Sequence, residues 1–154
     1  MLLRLLVLML TAGLAGRPLA AQSPLATDAW YDAEAGVRIA FAAAADGPLT
    51  ARIVWLRDPI DSLTGAPALD GRNPKPELRE RPVLGLPMIE GMRQEAEGSW
   101  TGGTIYDARN GKTYRASLRL AHPDTLRVRG YVKVGFVKLG RTAIWTRVPR
   151  EVTP

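Results

Sequence analysis

The sequence has 154 residues and a net charge of +6, with one histidine and no cysteine. The lack of cysteine excludes disulfides, thiol catalysis and thiolate metal sites, and a single histidine leaves a classical zinc site short of ligands. Neither a Gly-x-Ser-x-Gly motif nor a phosphate-binding glycine loop occurs in the chain. We therefore expect no enzymatic activity and no cofactor.

The first 21 residues predict an export signal. Arg4 provides a positive start, residues 5–15 are almost wholly apolar, and small residues lead up to Ala21. This order is typical of a secretory signal peptide, and the apolar stretch is shorter than the ~20 residues of a membrane-spanning helix. We expect cleavage after Ala21, a periplasmic or secreted protein, and a single β domain over residues 22–154. An uncleaved N-terminal anchor is the alternative.

The first part of the mature chain predicts strands, followed by a long loop. Residues 30–56 are interpreted as two strands separated by a turn at 46–48, and Val37, Ile39 and Phe41 alternate in the first of them. Residues 57–87 hold six prolines and three glycines, which disfavour both strands and helices. We expect an ordered loop that packs on the domain, with one helical turn near residues 77–79.

The last third predicts a meander of four strands. Turn residues separate four segments of β-type sequence, 99–107, 112–121, 125–137 and 141–148. Apolar and polar residues alternate in the second and third segments, which indicates one buried face and one solvated face. The third turn is placed at 138–140, which puts Trp145 on the outer face and Ile144 inside, unless a bulge in that turn reverses them.

This pattern also predicts which residues lie opposite each other across the strands. The expected pairs are Leu120–Leu126, Leu118–Val128, Arg119–Arg127, Tyr106–Tyr114 and Trp100–Leu120. A strand-rich domain with a meander favours an all-β fold, either an antiparallel up-and-down barrel of the calycin type or a closely related sandwich. Barrels of this kind can hold one small ligand.

Several short motifs occur in a fixed order along the mature chain. They are Arg52-Ile53-Val54-Trp55-Leu56, Asp58-Pro59, Asn73-Pro74, Gly85-Leu86-Pro87, residues 100–107 and 110–114, Val128-Arg129-Gly130-Tyr131 and Trp145-Thr146-Arg147. These motifs resemble those of the DUF2147 family of small exported bacterial proteins. One departure is Asp28-Ala29-Trp30, where family members usually carry Gly-x-Trp. The resemblance implies an envelope location and implies no reaction.

Charge is distributed unevenly along the chain. Residues 108–150 hold eleven basic residues and one acidic residue, whereas residues 28–107 hold eight basic and thirteen acidic ones. The predicted register places Arg115, Arg119, Arg127 and Arg129 together on the solvated face of the sheet. This face suits an anionic lipid or glycan of the envelope or the surface of a membrane, and the compartment disfavours nucleic acid. The alternative is that the acidic loop covers and neutralises it.

Three aromatic residues are the candidates for lining a cavity: Trp100, Tyr106 and Tyr114. The loop residues Asp58, Asp61, Asp70 and Asn73 could surround calcium, but their spacing fits no known calcium loop, and turn capping is the favoured interpretation. His122 lies in a predicted turn, where solvation is more common than catalysis.

The sequence thus favours a non-enzymatic binding protein for a small amphipathic ligand or an anionic envelope component. The alternative is a protein–protein interaction module with a solid barrel core. A hydrolase that uses the loop carboxylates is a weaker third interpretation.

Overall fold

The computed structural model describes residues 23–43 and 47–149, which form an antiparallel β barrel. The predicted signal peptide therefore lies outside the described residues. The strands are β1 (Ala29–Asp32), β2 (Val37–Ala43), β3 (Leu49–Leu56), β4 (Pro87–Ala96), β5 (Ser99–Thr101), β6 (Thr104–Asp107), β7 (Lys112–His122), β8 (Thr125–Val134) and β9 (Val137–Val148). Within these residues no helix is long and apolar enough to cross a bilayer.

The barrel closes because each strand pairs with its neighbours in the chain and β1 also pairs with β9. Strands β5 and β6 act as one interrupted strand, since both pair with β4 on one side and with β7 on the other. The interruption falls at Gly102 and Gly103. A Cβ on Gly103 would lie 2.3 Å from the carbonyl oxygen of Glu90, so no larger residue fits there. Eight strand positions surround the axis, which confirms the up-and-down barrel over the sandwich.

One end of the barrel is closed by Trp30. Its ring is fully buried, and its Nε1 donates a hydrogen bond to the carbonyl oxygen of Leu25 at 3.1 Å. The guanidinium of Arg147 lies 4.5 Å from the ring centroid and also binds Asp28 Oδ2 at 2.9 Å. The segment before β1 is thereby held against the end of β9, and we call this the closed end.

The proline-rich loop covers part of the opposite, open end. Its order and its short helical turn are confirmed, since residues 76–78 form a 3₁₀ turn. The loop contacts the turn between β6 and β7, where Arg72 Nη1 donates to the carbonyl oxygen of Arg109 at 2.8 Å. Gly111, in that turn, has a φ of 71°, and a Cβ there would lie 1.9 Å from the carbonyl oxygen of Arg72. Glycine is therefore required both by the turn and by the loop that packs on it.

Several expectations about strands and register need correction. Residues 30–43 form two strands, β1 and β2, because a turn at 33–36 divides them, and β4 was not predicted at all. The pairs Leu120–Leu126, Leu118–Val128 and Arg119–Arg127 are confirmed. The pairs Tyr106–Tyr114 and Trp100–Leu120 are wrong. Tyr114 lies opposite Ile105 because the turn at 108–111 has four residues and pairs Asp107 with Lys112. Trp100 lies opposite Leu118 because the break between β5 and β6 shifts the register by one further residue.

The last hairpin also turns earlier than predicted. Val134 pairs with Val137, so the turn consists of Gly135 and Phe136 and not of residues 138–140. This shift changes the pairing by an odd number of residues, which exchanges the two faces of β9. Trp145 is consequently buried in the core and Ile144 is half exposed. A turn at 138–140 without a bulge predicted the reverse placement of these two residues.

Candidate functional site

The open end leads into a cavity of about 500 Å³ inside the barrel. Its wall consists mainly of inward-facing apolar side chains of the strands, joined by apolar residues of the proline-rich loop. The apolar lining includes Val37, Ile53, Leu56, Ala68, Leu69, Val83, Met88, Ile105, Val128, Ala143 and Trp145. The cavity therefore offers an apolar ligand a surface removed from water.

Trp145 contributes its indole ring to this apolar wall. Its side chain is almost completely buried and packs near Phe41, with 6.4 Å between the ring centroids. Its indole Nε1 is buried and has no hydrogen-bond partner among the described residues. Because this atom has almost no accessible surface, it lies against packed protein atoms and not against the open cavity. A buried donor without an acceptor costs free energy.

Charged residues surround the opening of the cavity. Arg109 donates to both carboxylate oxygens of Asp107, at 3.0 and 3.2 Å. Glu34 lies between two arginines, with Arg141 Nη2 at 3.1 Å and Arg109 Nη1 at 3.7 Å from its Oε1. The hydrogen bonds that Arg109 donates to Asp107 raise the pKa of its guanidinium, which stays charged. The rim can thus present both charged donors and charged acceptors to a polar head group.

Tyr106 connects the cavity wall to the proline-rich loop. Its hydroxyl donates to Asp70 Oδ1 at 2.6 Å, and the same carboxylate accepts hydrogen bonds from Asn73 Nδ2 at 2.7 Å and Arg81 Nε at 2.9 Å. Asp70 is fully buried and Asn73 nearly so. Burial, followed by the hydrogen bond to the Asp70 carboxylate, raises the pKa of Tyr106. Ala68, Leu69 and Val83 of this loop line the cavity, so the cluster holds one of its walls in place.

This raised pKa makes the contribution of Tyr106 depend on pH. Below the ordinary tyrosine value of about 10, the phenol is protonated in both the folded and the unfolded chain, and its stabilising contribution is fully present. Above it the unfolded chain loses the proton first, so the contribution declines until pH passes the raised pKa. Tyr106→Phe should cost about 1.5–3 kcal/mol near neutral pH.

Urea unfolding of both proteins, near pH 8 and near pH 11, would measure the effect. We expect the difference in the free energy of unfolding between the native chain and Tyr106→Phe to be smaller at the higher pH. Tyr31→Phe is the matched control, since the Tyr31 hydroxyl accepts from exposed Arg57 Nη2. A difference for Tyr106→Phe that does not change with pH would contradict the assignment.

The three aromatic candidates do not lie together. Tyr106 and Tyr114 both line the cavity, and the Tyr114 hydroxyl accepts a hydrogen bond from Asn110 Nδ2 at 3.1 Å. Trp100 instead packs in the barrel core and is not part of the lining. Trp145 was not selected from the sequence, because the misplaced turn put it on the outer face.

The four arginine candidates occupy the outer surface of β7 and β8, away from the cavity. Arg115, Arg119, Arg127 and Arg129 are all exposed, and Arg119 lies directly opposite Arg127. In the part of the chain that the structure describes, Arg115, Arg119 and Arg127 form no ion pair. The proline-rich loop packs at the open end and leaves this surface uncovered, contrary to the alternative that it neutralises the arginines.

The loop carboxylates do not form a metal site. Asp61 accepts hydrogen bonds from the backbone of Leu63 and Thr64, which lowers its pKa, while Asp70 belongs to the separate cluster with Tyr106. Within residues 23–43 and 47–149, no group of three acidic or histidine side chains is arranged to hold a metal ion. Asn73 does cap a turn, since its Oδ1 accepts from the backbone amide of Lys75. His122 lies exposed at the end of β7.

Comparison with known proteins agrees with this geometry. The family described as "Uncharacterized protein conserved in bacteria (DUF2147)" matches residues 28–147. No curated protein matches the sequence significantly. Protein HP1028 from the human pathogen Helicobacter pylori, described as belonging to the lipocalin family, has a similar structure with a TM-score of 0.64 and 23% sequence identity. The match covers 81% of this chain and 84% of that one, and it confirms the calycin-type fold.

Proposed function

Because this chain belongs to the DUF2147 family of uncharacterised bacterial proteins, we propose its function from the cavity: it binds a small amphipathic ligand inside the barrel. The observation that supports this most directly is a cavity of about 500 Å³ with a mainly apolar wall. Ligand sites in proteins typically measure ~300–1,000 Å³ and combine apolar walls with a few polar groups. A lipocalin-like fold is consistent with such binding. The cavity argues against the alternative of an interaction module with a solid barrel core.

The lining and the opening of the cavity suggest what the ligand carries. Inside, the mainly apolar wall favours an apolar body that is removed from water. At the opening, Arg109, Arg141 and Glu34 favour a charged or polar head group that stays near water. A molecule with an apolar body and a polar head group is amphipathic. Tyr106 and Tyr114 would contact its middle part.

The N-terminal 21 residues suggest where binding takes place. If they act as a cleaved signal peptide, the barrel works in the periplasm or outside the cell, where amphipathic envelope molecules are abundant. N-terminal sequencing of protein recovered after export would test cleavage after Ala21. A retained Met1 would contradict this part of the proposal.

A cavity-filling variant tests the binding function. Ala143 lines the cavity, so Ala143→Phe should place a ring in the space that the ligand occupies. We expect the Kd for the fluorescent amphipath anilinonaphthalene sulfonate to rise at least tenfold, which corresponds to about 1.4 kcal/mol. The titration would follow the increase in fluorescence when the probe leaves water.

The matched control is Ala121→Phe, which adds the same ring at an exposed position at the end of β7. This variant should bind the probe like the native chain, and far-ultraviolet circular dichroism should show that both variants are folded. Unchanged affinity in folded Ala143→Phe would mean that the probe binds elsewhere and would refute the proposal. If Ala143→Phe does weaken probe binding, native mass spectrometry of the exported protein would identify the ligands that co-purify with it.

A second candidate function rests on the exposed arginines of β7 and β8. Like charges directly opposite each other on a sheet are unfavourable, so the Arg119–Arg127 pair favours binding of an anionic lipid or glycan. The double variant Arg119→Glu with Arg127→Glu should then weaken binding to soluble anionic glycans at low salt. Equal binding by the native chain and the double variant would argue against this function.

A further inference from the structure

The hairpin of β8 and β9 projects from the barrel as a two-stranded ribbon. Strand β8 pairs with β7 only as far as Tyr131, and β9 pairs with β1 only from Trp145 onward. Between these points, among the described residues, the two strands pair only with each other. The ribbon comprises residues 132–142, and we call it the β8–β9 ribbon. It extends beyond the rim at the open end of the barrel.

One face of this ribbon and its tip are apolar and exposed. The pairs Val132–Leu139 and Val134–Val137 lie on one face, the one that continues the inner surface of the barrel. Val134, Val137 and Leu139 are each more than half exposed, and Phe136 at the tip is fully exposed. An isolated ribbon gains nothing from exposing such residues to water, and a contiguous apolar patch of this kind marks a surface that contacts something else.

The opposite face of the ribbon is basic. Lys133 pairs with Lys138 there, and Lys138 Nζ lies 5.0 Å from the ring of Tyr131. The hairpin as a whole, residues 125–148, holds six basic residues and not one acidic residue. Among the described residues, two of these basic side chains have an acidic partner: Arg141 binds Glu34, and Arg147 binds Asp28 near the closed end. The partner of this surface therefore needs to be both apolar and negatively charged.

We propose that the β8–β9 ribbon docks the protein onto an anionic lipid bilayer. Phe136, Val134 and Val137 would enter the boundary between head groups and acyl chains, and Lys133 and Lys138 would bind the phosphates. An apolar protein groove would accommodate the flat face but would have to enclose the protruding Phe136 as well. A bilayer accepts side chains pointing forward from a tip and from one face, and its anionic surface attracts the lysines. This inference goes beyond the cavity ligand and does not depend on it.

The position of the ribbon connects the bilayer with the cavity. Val132 and Leu139 line the cavity opening and also belong to the apolar face of the ribbon. The apolar surface is thus continuous from the exposed tip to the barrel interior. A docked protein would hold its cavity opening next to the membrane.

Flotation with lipid vesicles tests the docking. The chain from residue 22 onward is used, since the barrel is closed by strands between residues 29 and 148. We expect it to float with vesicles of phosphatidylglycerol and phosphatidylcholine and to remain unbound with phosphatidylcholine alone. Val134→Ser with Phe136→Ser should weaken the partition by about tenfold or more, because the apolar side chains are lost. Lys133→Glu with Lys138→Glu should weaken it to a similar degree, about tenfold.

Two control variants separate the ribbon from general surface effects. Leu63→Ser removes an almost fully exposed leucine of the proline-rich loop, and Arg93→Glu with Lys112→Glu makes the same charge change at exposed positions on β4 and β7. Both should float like the native chain. Because the replaced residues are exposed, circular dichroism should show native folding in every variant.

Three outcomes of these experiments would contradict docking by the β8–β9 ribbon. If the native chain does not float with anionic vesicles, the ribbon does not dock on a bilayer and the proposal is wrong. If the serine variant floats normally while Arg119→Glu with Arg127→Glu does not, the basic sheet binds the membrane instead. Sedimentation could instead show a dimer that Phe136→Ser dissociates and that added vesicles leave intact. In that case the ribbon contacts a second copy of the chain and not a bilayer. Probe binding in the cavity is measured separately, so its failure would leave the vesicle result unaffected.

Discussion

Replacing Asp70 with alanine is expected to lower the free energy of unfolding by about 3 kcal/mol, the lower end of the ~3–5 kcal/mol found when one partner of a buried ion pair is removed. The carboxylate is fully buried and accepts hydrogen bonds from Tyr106, Asn73 and Arg81. Tyr106 and Arg81 would lose this acceptor, and Asn73 Nδ2 would keep only its hydrogen bond to the Tyr106 hydroxyl. The lower end applies because the side chain of Arg81 is 31% exposed and can turn toward water.

The same change should weaken ligand binding, because the anchored loop supplies one wall of the cavity. We expect Asp70→Ala to raise the Kd for anilinonaphthalene sulfonate under conditions where the barrel remains folded. Urea denaturation and the probe titration measure the two effects separately. Asp61→Ala is the control, since that carboxylate accepts backbone hydrogen bonds in an exposed turn, and a smaller loss of stability than for Asp70→Ala is expected. Equal costs for the two variants would show that the Asp70 cluster does not anchor the loop.

Replacing Trp30 with alanine should destabilise the protein by ~3–5 kcal/mol, the usual range for a buried tryptophan. The change would leave a cavity at the closed end and would remove the hydrogen bond to Leu25 and the ring beneath Arg147. The segment before β1 would lose its principal contact with the barrel. Thermal and urea unfolding measure the loss.

Trp55→Ala is the matched control for this prediction. Trp55 lies on the outer face of β3, where it contacts Tyr31 edge to face at 6.3 Å and lies 4.7 Å from the guanidinium of Arg38. Its ring is partly exposed, so the loss should stay near ~1 kcal/mol. If Trp30→Ala costs no more than Trp55→Ala, the closed end does not depend on Trp30.

Sequence patterns predicted the strands whose two faces differ in polarity. Strands β7 and β8 alternate strictly and have a clear turn between them, so both their faces and their pairing were predicted correctly. Strand β4 was missed because it begins at Pro87 and contains Gly91, which has a φ of 72° and interrupts the alternation. Gly140 was interpreted as a turn residue. The structure shows that it is glycine because a Cβ there would lie 2.1 Å from the carbonyl oxygen of Gly130 on the neighbouring strand.

The candidate site was predicted only in part for a related reason. Tyr106 and Tyr114 follow from the strand pattern, and they do line the cavity. Asp70 is 36 residues before Tyr106 in the chain, and the intervening loop has no period that could indicate their contact. The predicted face of Trp145 depended on the position of the turn between β8 and β9, since a shift by an odd number of residues exchanges the inner and outer faces of a strand.

The sequence by itself determined the all-β class, the loop, the basic face of β7 and β8 and the family resemblance, because these depend on local composition and period-two alternation. Only the tertiary structure decided that the barrel is closed, that it holds a cavity, and that Trp145 lies in the cavity wall. It alone showed the apolar ribbon beyond the rim. These features depend on contacts between residues far apart in the chain and on register, and neither is encoded in the local pattern of any one strand.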